Sequence, residues 1–121
     1  MEAQSLFLAV FLGNPDNPKM AAWKTLSDAE RHQMQQDGIA LWKAWVEKYQ
    51  SSIVTMGGPL GKTKCISTSG IEDISNALTA FTVVQAESHD AAAKMFENHP
   101  HFAHFPGDSV EVMPVLPIPG A

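Results

Sequence analysis

The run from Ser5 to Leu12, Ser-Leu-Phe-Leu-Ala-Val-Phe-Leu, restricts the fold more than any other stretch of this chain. It is short and apolar, which suits a strand, and alternate residues of a strand point to opposite faces. Leu6, Leu8, Val10 and Leu12 point one way, and Phe7, Ala9 and Phe11 point the other. Both sets are apolar. A sheet with one face in water should alternate apolar with polar, so both faces of this strand must be covered. Helices of the chain can cover one; something else must cover the other.

The C-terminal part reads as a β-α-β unit. Phe81 to Glu87 is short and rich in β-branched residues, so it predicts a strand. Ser88 can cap a first helical turn, and Asp90 suits its dipole. Ala91, Ala92, Met95 and Phe96 give one apolar helical face, and Pro100 is expected to stop the helix. Ser109 to Val115 follows as a strand.

Upstream, Gly13 to Pro18 has the chemistry of a loop, and Met20, Ala22 and Trp23 suit a short turn against the core. Ser27 and Glu30 form a capping box. The helix that they open carries Met34, Gly38, Leu41, Trp42, Trp45, Val46 and Tyr49 on one face. Gly38 costs about 1 kcal/mol relative to Ala there, so it marks a bend, a break or a close approach. Ser52 to Met56 predicts a second strand. Lys62 to Thr68 is expected to return as its hairpin partner across the turn Gly57 to Gly61, with Ser69 to Asn76 a loop. The tail from Pro114 holds three prolines and is expected to be extended, lying on a partner chain.

The order β-α-β-β-β-α-β predicts an α+β domain of the ferredoxin-like, split β-α-β kind with an extra hairpin strand. Its antiparallel sheet carries both helices on one face. The bare apolar face predicts a homodimer built by sheet-to-sheet packing, a dimeric α+β barrel. Residues 1–121 suit a single domain, and a chain of this length can bury a core without staples.

Charged residues are 17% of the chain, below the ordinary share of about 25%, which also favours a covered exterior. The net charge is -5, and Arg31 is the only arginine. That excludes the concentrated cationic face that nucleic-acid binding needs. No run approaches the roughly 20 apolar residues of a membrane span, and the N-terminus lacks a signal-peptide pattern. Cys65 is the single cysteine. It allows no internal disulfide and no cysteine metal motif, and a cytoplasmic setting is expected.

Four motifs in order, Gly57-Gly58-Pro59-Leu60, Phe81 to Ala92, His99-Pro100 and Ser109 to Val115, resemble the YCII-related proteins, especially the DGPF-type branch. The resemblance spans about the C-terminal two-thirds of the chain. It implies a dimeric α+β barrel, relatives that include muconolactone isomerase-like enzymes, no cofactor and no agreed activity. Some members pair a His with an Asp as an acid-base dyad between the first helix and second strand. Here the corresponding positions hold Leu41 or Trp42 and the region of Glu47, and His32 lies about two turns too early. The inherited dyad is missing.

The residues themselves offer three candidate sites. Glu111, between Val110 and Val112, would be a general base if it lay under the helices; at a rim it would be solvated or paired with a lysine. His99 and His101 are the candidate partners of Glu111 in proton transfer. They could also join His104 in a metal site with Glu111 or Asp108, although histidines in a loop after a helix are more often just solvated. Trp42, Trp45, Met34 and Phe96 could line a pocket for an aromatic or apolar ligand, or simply form core. Gly57 to Gly61 lacks the spacing of a phosphate loop. Nothing near Cys65 would activate it. The reading is a homodimer that binds a small cyclic or apolar metabolite. A cofactor-independent isomerase or lyase is the alternative, and a cofactor-free oxygenase of the same barrel type a third.

Overall fold

The computed structural model describes residues 4–120. Strand β1 (Ser5–Leu12) lies in a four-stranded antiparallel sheet with β2 (Ile53–Pro59), β5 (Leu78–Ala86) and β6 (Ser109–Pro114). The strand order is β2-β5-β1-β6, that of a split β-α-β fold. Strands β3 (Thr63–Ser67) and β4 (Gly70–Ile74) form a separate two-stranded ladder. Helices α1 (Pro18–Lys24), α2 (Asp28–Lys48), α3 (His89–Lys94) and α4 (Pro100–Ala103) complete the chain.

The two sides of β1 part as their spacing requires. Phe7, Ala9 and Phe11 are buried, and opposite them on β5 stand Val84, Thr82 and Ala80. Trp45 of α2 and Ala92, Met95 and Phe96 of the α3 region close this core. Leu8 and Val10 face away from the helices beside Val83, Phe81, Met113 and Glu111. Leu6, on the same face, is 42% exposed.

Local chemistry fixes the helices. The Ser27 hydroxyl accepts from the Glu30 amide at 3.1 Å, and the Glu30 carboxylate accepts from the Ser27 amide at 3.0 Å. Residues 20–23 form a helix rather than a turn, because Asn17 caps the Met20 amide and Pro18 stands at the first helical position. The Ser88 hydroxyl caps α3 through the Ala91 amide at 3.0 Å.

Four expectations are corrected. Pro100 does not stop a helix but starts one: α3 ends at Lys94, Asn98 turns the chain at φ 57°, and Pro100 sits at N1 of α4. Gly57 and Gly58 lie inside β2, where the register against β5 shifts between Thr55 and Gly58, rather than in a turn. Lys62 to Thr68 does not pair with the second strand. Its partner is Gly70–Ile74, read from sequence as loop, with only Thr68 and Ser69 between the paired Ser67 and Gly70.

Gly38 is explained by a close approach. It is buried in α2, and a Cβ there would strike the Phe105 ring and come within 2.9 Å of the His104 ring. Gly38→Ala should therefore destabilise the fold by about 1–2 kcal/mol in urea unfolding. This opposes the roughly 1 kcal/mol that the same change yields in a free helix.

Candidate functional site

Between α2 and the β2–β5 half of the sheet lies a cavity of about 660 Å³. Trp42 and Val46 of α2, Phe11 of β1, Met56 of β2, Ala80 and Thr82 of β5 and the Phe105 ring are among its lining residues. It exists because α2 buries only Gly38 and Trp45. Trp42 and Val46 pack on the core only in part, and Ile39 is left exposed. Opposite, the Gly57 irregularity keeps β2 bent, and the Thr82 hydroxyl pins it by donating to the Met56 carbonyl at 3.0 Å.

Such a volume falls within the roughly 300–1,000 Å³ of small-molecule sites, which combine apolar walls with a few polar groups. The polar groups here are Lys43 and Glu47, one of each charge, and Thr82. Trp42 connects the cavity to the core. Its ring centroid lies 5.3 Å from that of Phe11, 6.3 Å from Phe105 and 4.5 Å from His99.

His99 is fully buried against Phe11, Trp42, Trp45 and Phe96. Its Nδ1 accepts from the His101 amide at 3.0 Å and so caps α4. That fixes the proton on Nε2, which has no hydrogen-bond partner among the described residues. The His99 and Trp42 rings meet at 89°, and the His99 and Trp45 rings at 70°, edge to face. Burial, and after it the neighbouring His101, push the His99 pKa down to about 4. The ring is neutral at ordinary pH.

Three other histidines are each spent on a carbonyl. His101 Nε2 donates to Leu12 at 2.8 Å, His104 Nε2 to Met34 at 2.7 Å, and His89 Nε2 to Val112 at 2.7 Å. Among the described residues no group of three metal-ligating side chains comes together, so His99, His101 and His104 do not form the metal alternative. Glu111 is exposed and pairs in register with Val10 on the helix-free face. It does not meet His99 under the helices.

Of the four pocket candidates, Trp42 alone lines this cavity. Trp45 donates its indole N–H to the Met95 carbonyl at 2.7 Å and packs with Phe96 as core. Met34 borders a different groove of about 340 Å³ beside Trp23. Sequence reasoning missed Phe11, Phe105, Met56 and Glu47 as lining residues. Gly38 was the available signal for Phe105, since a glycine in a long helix marks where a ring presses in.

No protein-family model matches the chain, and no curated protein matches it. Among solved structures, a 5-chloro-2-hydroxyhydroquinone dehydrochlorinase (TftG) from Burkholderia phenoliruptrix AC1100 superimposes with a TM-score of 0.52. It is 22% identical and the match covers 89% of this chain and 90% of that one. The two share a fold. The enzyme was solved in complex with 2,5-dihydroxybenzoquinone. Among the described residues no helix is long and apolar enough to cross a membrane.

Proposed function

We propose that this chain is a YCII-related protein of the DGPF type. It works as a homodimer and holds a small cyclic or apolar metabolite in the cavity between α2 and the β2–β5 edge. The observation that carries the reading is the aromatic lining of that cavity, Phe11, Trp42 and Phe105, with Lys43 and Glu47 to orient a polar rim. The dehydrochlorinase of like fold accepts a small six-membered ring compound, which supports the same ligand class here.

Catalysis by an isomerase or lyase route is the second reading, and Glu47 is the observation that favours it. Glu47 is the one carboxylate on the wall among the described lining residues. It also stands near where the resemblance would place half of an acid-base dyad. The other expected position holds Leu41 or Trp42, so the site keeps the shape of a pocket and lacks the paired proton carriers.

Titration with 2,5-dihydroxybenzoquinone, followed by tryptophan quenching and by thermal shift, tests the binding reading. We expect saturable quenching that Trp42→Ala weakens by at least tenfold, while Met34→Ala, remote from the cavity, leaves it unchanged. Equal loss in both variants, or no saturable quenching by this quinone and a panel of hydroxylated aromatics, would remove the cavity as a site. Sedimentation equilibrium tests the dimer: a molecule that stays at 13.1 kDa at high concentration would end that part.

A further inference from the structure

The β3–β4 hairpin and the C-terminal tail are the two parts of this chain that leave the body with apolar side chains uncovered. The hairpin pairs only with itself, and an isolated two-stranded hairpin is marginal in water. Yet Ile66 and Ile71, opposite each other across its ladder, are each 71% exposed. Beside them on the same face Lys64 and Asp73 form an ion pair at 2.7 Å, which holds the register but covers nothing. The tail is similar. After the Val115 amide bonds the Leu6 carbonyl at 2.9 Å, Leu116 is 74% exposed and Ile118 76%. Pro117 and Pro119 keep this segment out of a helix or an interior strand.

The places where the two depart are related. The hairpin leaves the sheet from Pro59 of β2 and returns at Leu78 of β5, opposite Ala80 and Leu12. The tail leaves from Pro114 of β6, opposite Phe7, at the other end of β1. With the order β2-β5-β1-β6, hairpin and tail stand at diagonally opposed corners of one sheet. When two such sheets stack by their helix-free faces, a twofold axis between them and perpendicular to that diagonal exchanges the corners. The hairpin of each copy then lies over the tail of the other, twice.

We infer that the hairpin and the tail form a reciprocal clasp between two copies of this chain, Ile66 and Ile71 of one packing on Leu116 and Ile118 of the other. The inference rests on the homodimer reading above and adds the element that locks it. Area favours a second copy as the occupant. A standard interface needs roughly 800 Å² from each partner. A buried Leu or Ile removes roughly 60–120 Å² of apolar surface from water, so Ile66, Ile71, Leu116 and Ile118 enlarge what the helix-free face supplies from each copy. Leu6, Met113 and Val115 are themselves exposed on or beside that face, and the twofold makes the contact between hairpin and tail at two places.

Cross-linking in the full chain tests it. In a Cys65→Ser background, Ile71→Cys combined with Leu116→Cys should give a covalent dimer under mild oxidation, with neither single variant doing so efficiently. Ile66→Ser with Ile71→Ser, and separately removal of residues 115–121, should each raise the dimer dissociation constant by about 10–100-fold. Circular dichroism should stay unchanged, and combining the two should add little further. A wild-type dimer whose dissociation constant ignores both changes, or a cross-link formed within one chain, overturns the clasp and leaves the dimer standing. A wild-type monomer at high concentration overturns the dimer reading and the clasp with it.

Discussion

Lowering the pH from 7 to 4 should remove about 3 kcal/mol of folding stability through His99 alone. Its folded pKa is pushed down to about 4 by burial among aromatic rings, whereas the unfolded imidazole titrates at about 6.5. Between these values the unfolded chain binds the extra proton. The contribution is therefore fully present above about pH 6.5 and is lost as pH falls through the folded value. Urea unfolding at a series of pH values measures it. His99→Phe, which keeps a ring in the box, should flatten the slope over that window. It should also cost about 1 kcal/mol at pH 7, because the cap on the His101 amide is gone. A variant that retains the full slope would show that the loss comes from other groups.

Gly57→Ala should cost about 3 kcal/mol, while Gly58→Ala, one residue along the same strand, should stay within about 0.5 kcal/mol. Gly57 has φ 68°, a conformation that costs an L-residue about 1–2 kcal/mol. A Cβ there would also fall on the Phe81 carbonyl oxygen, backbone that cannot swing aside as a side chain can. At Gly58 a Cβ would meet nothing within 4 Å. Because β2 forms one wall of the cavity, Gly57→Ala should weaken ligand binding as well as the fold. Chemical denaturation and quinone titration on both variants separate the two effects.

The unbroken apolar run of Ser5–Leu12, the capping box at Ser27 and the β-branched run after Phe81 are enough to read the split β-α-β order, because each is a local rule that tertiary packing here does not override. The hairpin is hard to place because two glycine-containing stretches compete as its turn. Gly57-Gly58-Pro59 looks like a turn, but Thr68-Ser69-Gly70 between two alternating runs is the actual one. Glycines at a bulge and at a turn meet the same backbone demand and differ only in what lies across from them. Pro100 failed for a related reason: proline both ends helices and opens them, and the left-handed Asn98 decides which.

The site was less legible than the fold. Trp42 and Trp45 stand three residues apart on one helix, yet one faces a cavity and the other the Met95 carbonyl. Helical spacing places both on a common side and says nothing of where the sheet edge ends beneath them. The histidines clustered in sequence, but each was claimed by the nearest unsatisfied backbone oxygen or amide. Glu111 lay on a strand whose facing depended on register, and a one-residue shift reverses every side chain.

The place of β1 in the sheet also governs how the molecule comes into being. It lies between β5 and β6, so both of its neighbours come from much later in the chain. Its eight residues leave the ribosome with neither edge satisfied, and the closing strand arrives about 100 residues later. Until then this apolar strand waits with an open edge, and the layer cannot close before β6 has been made.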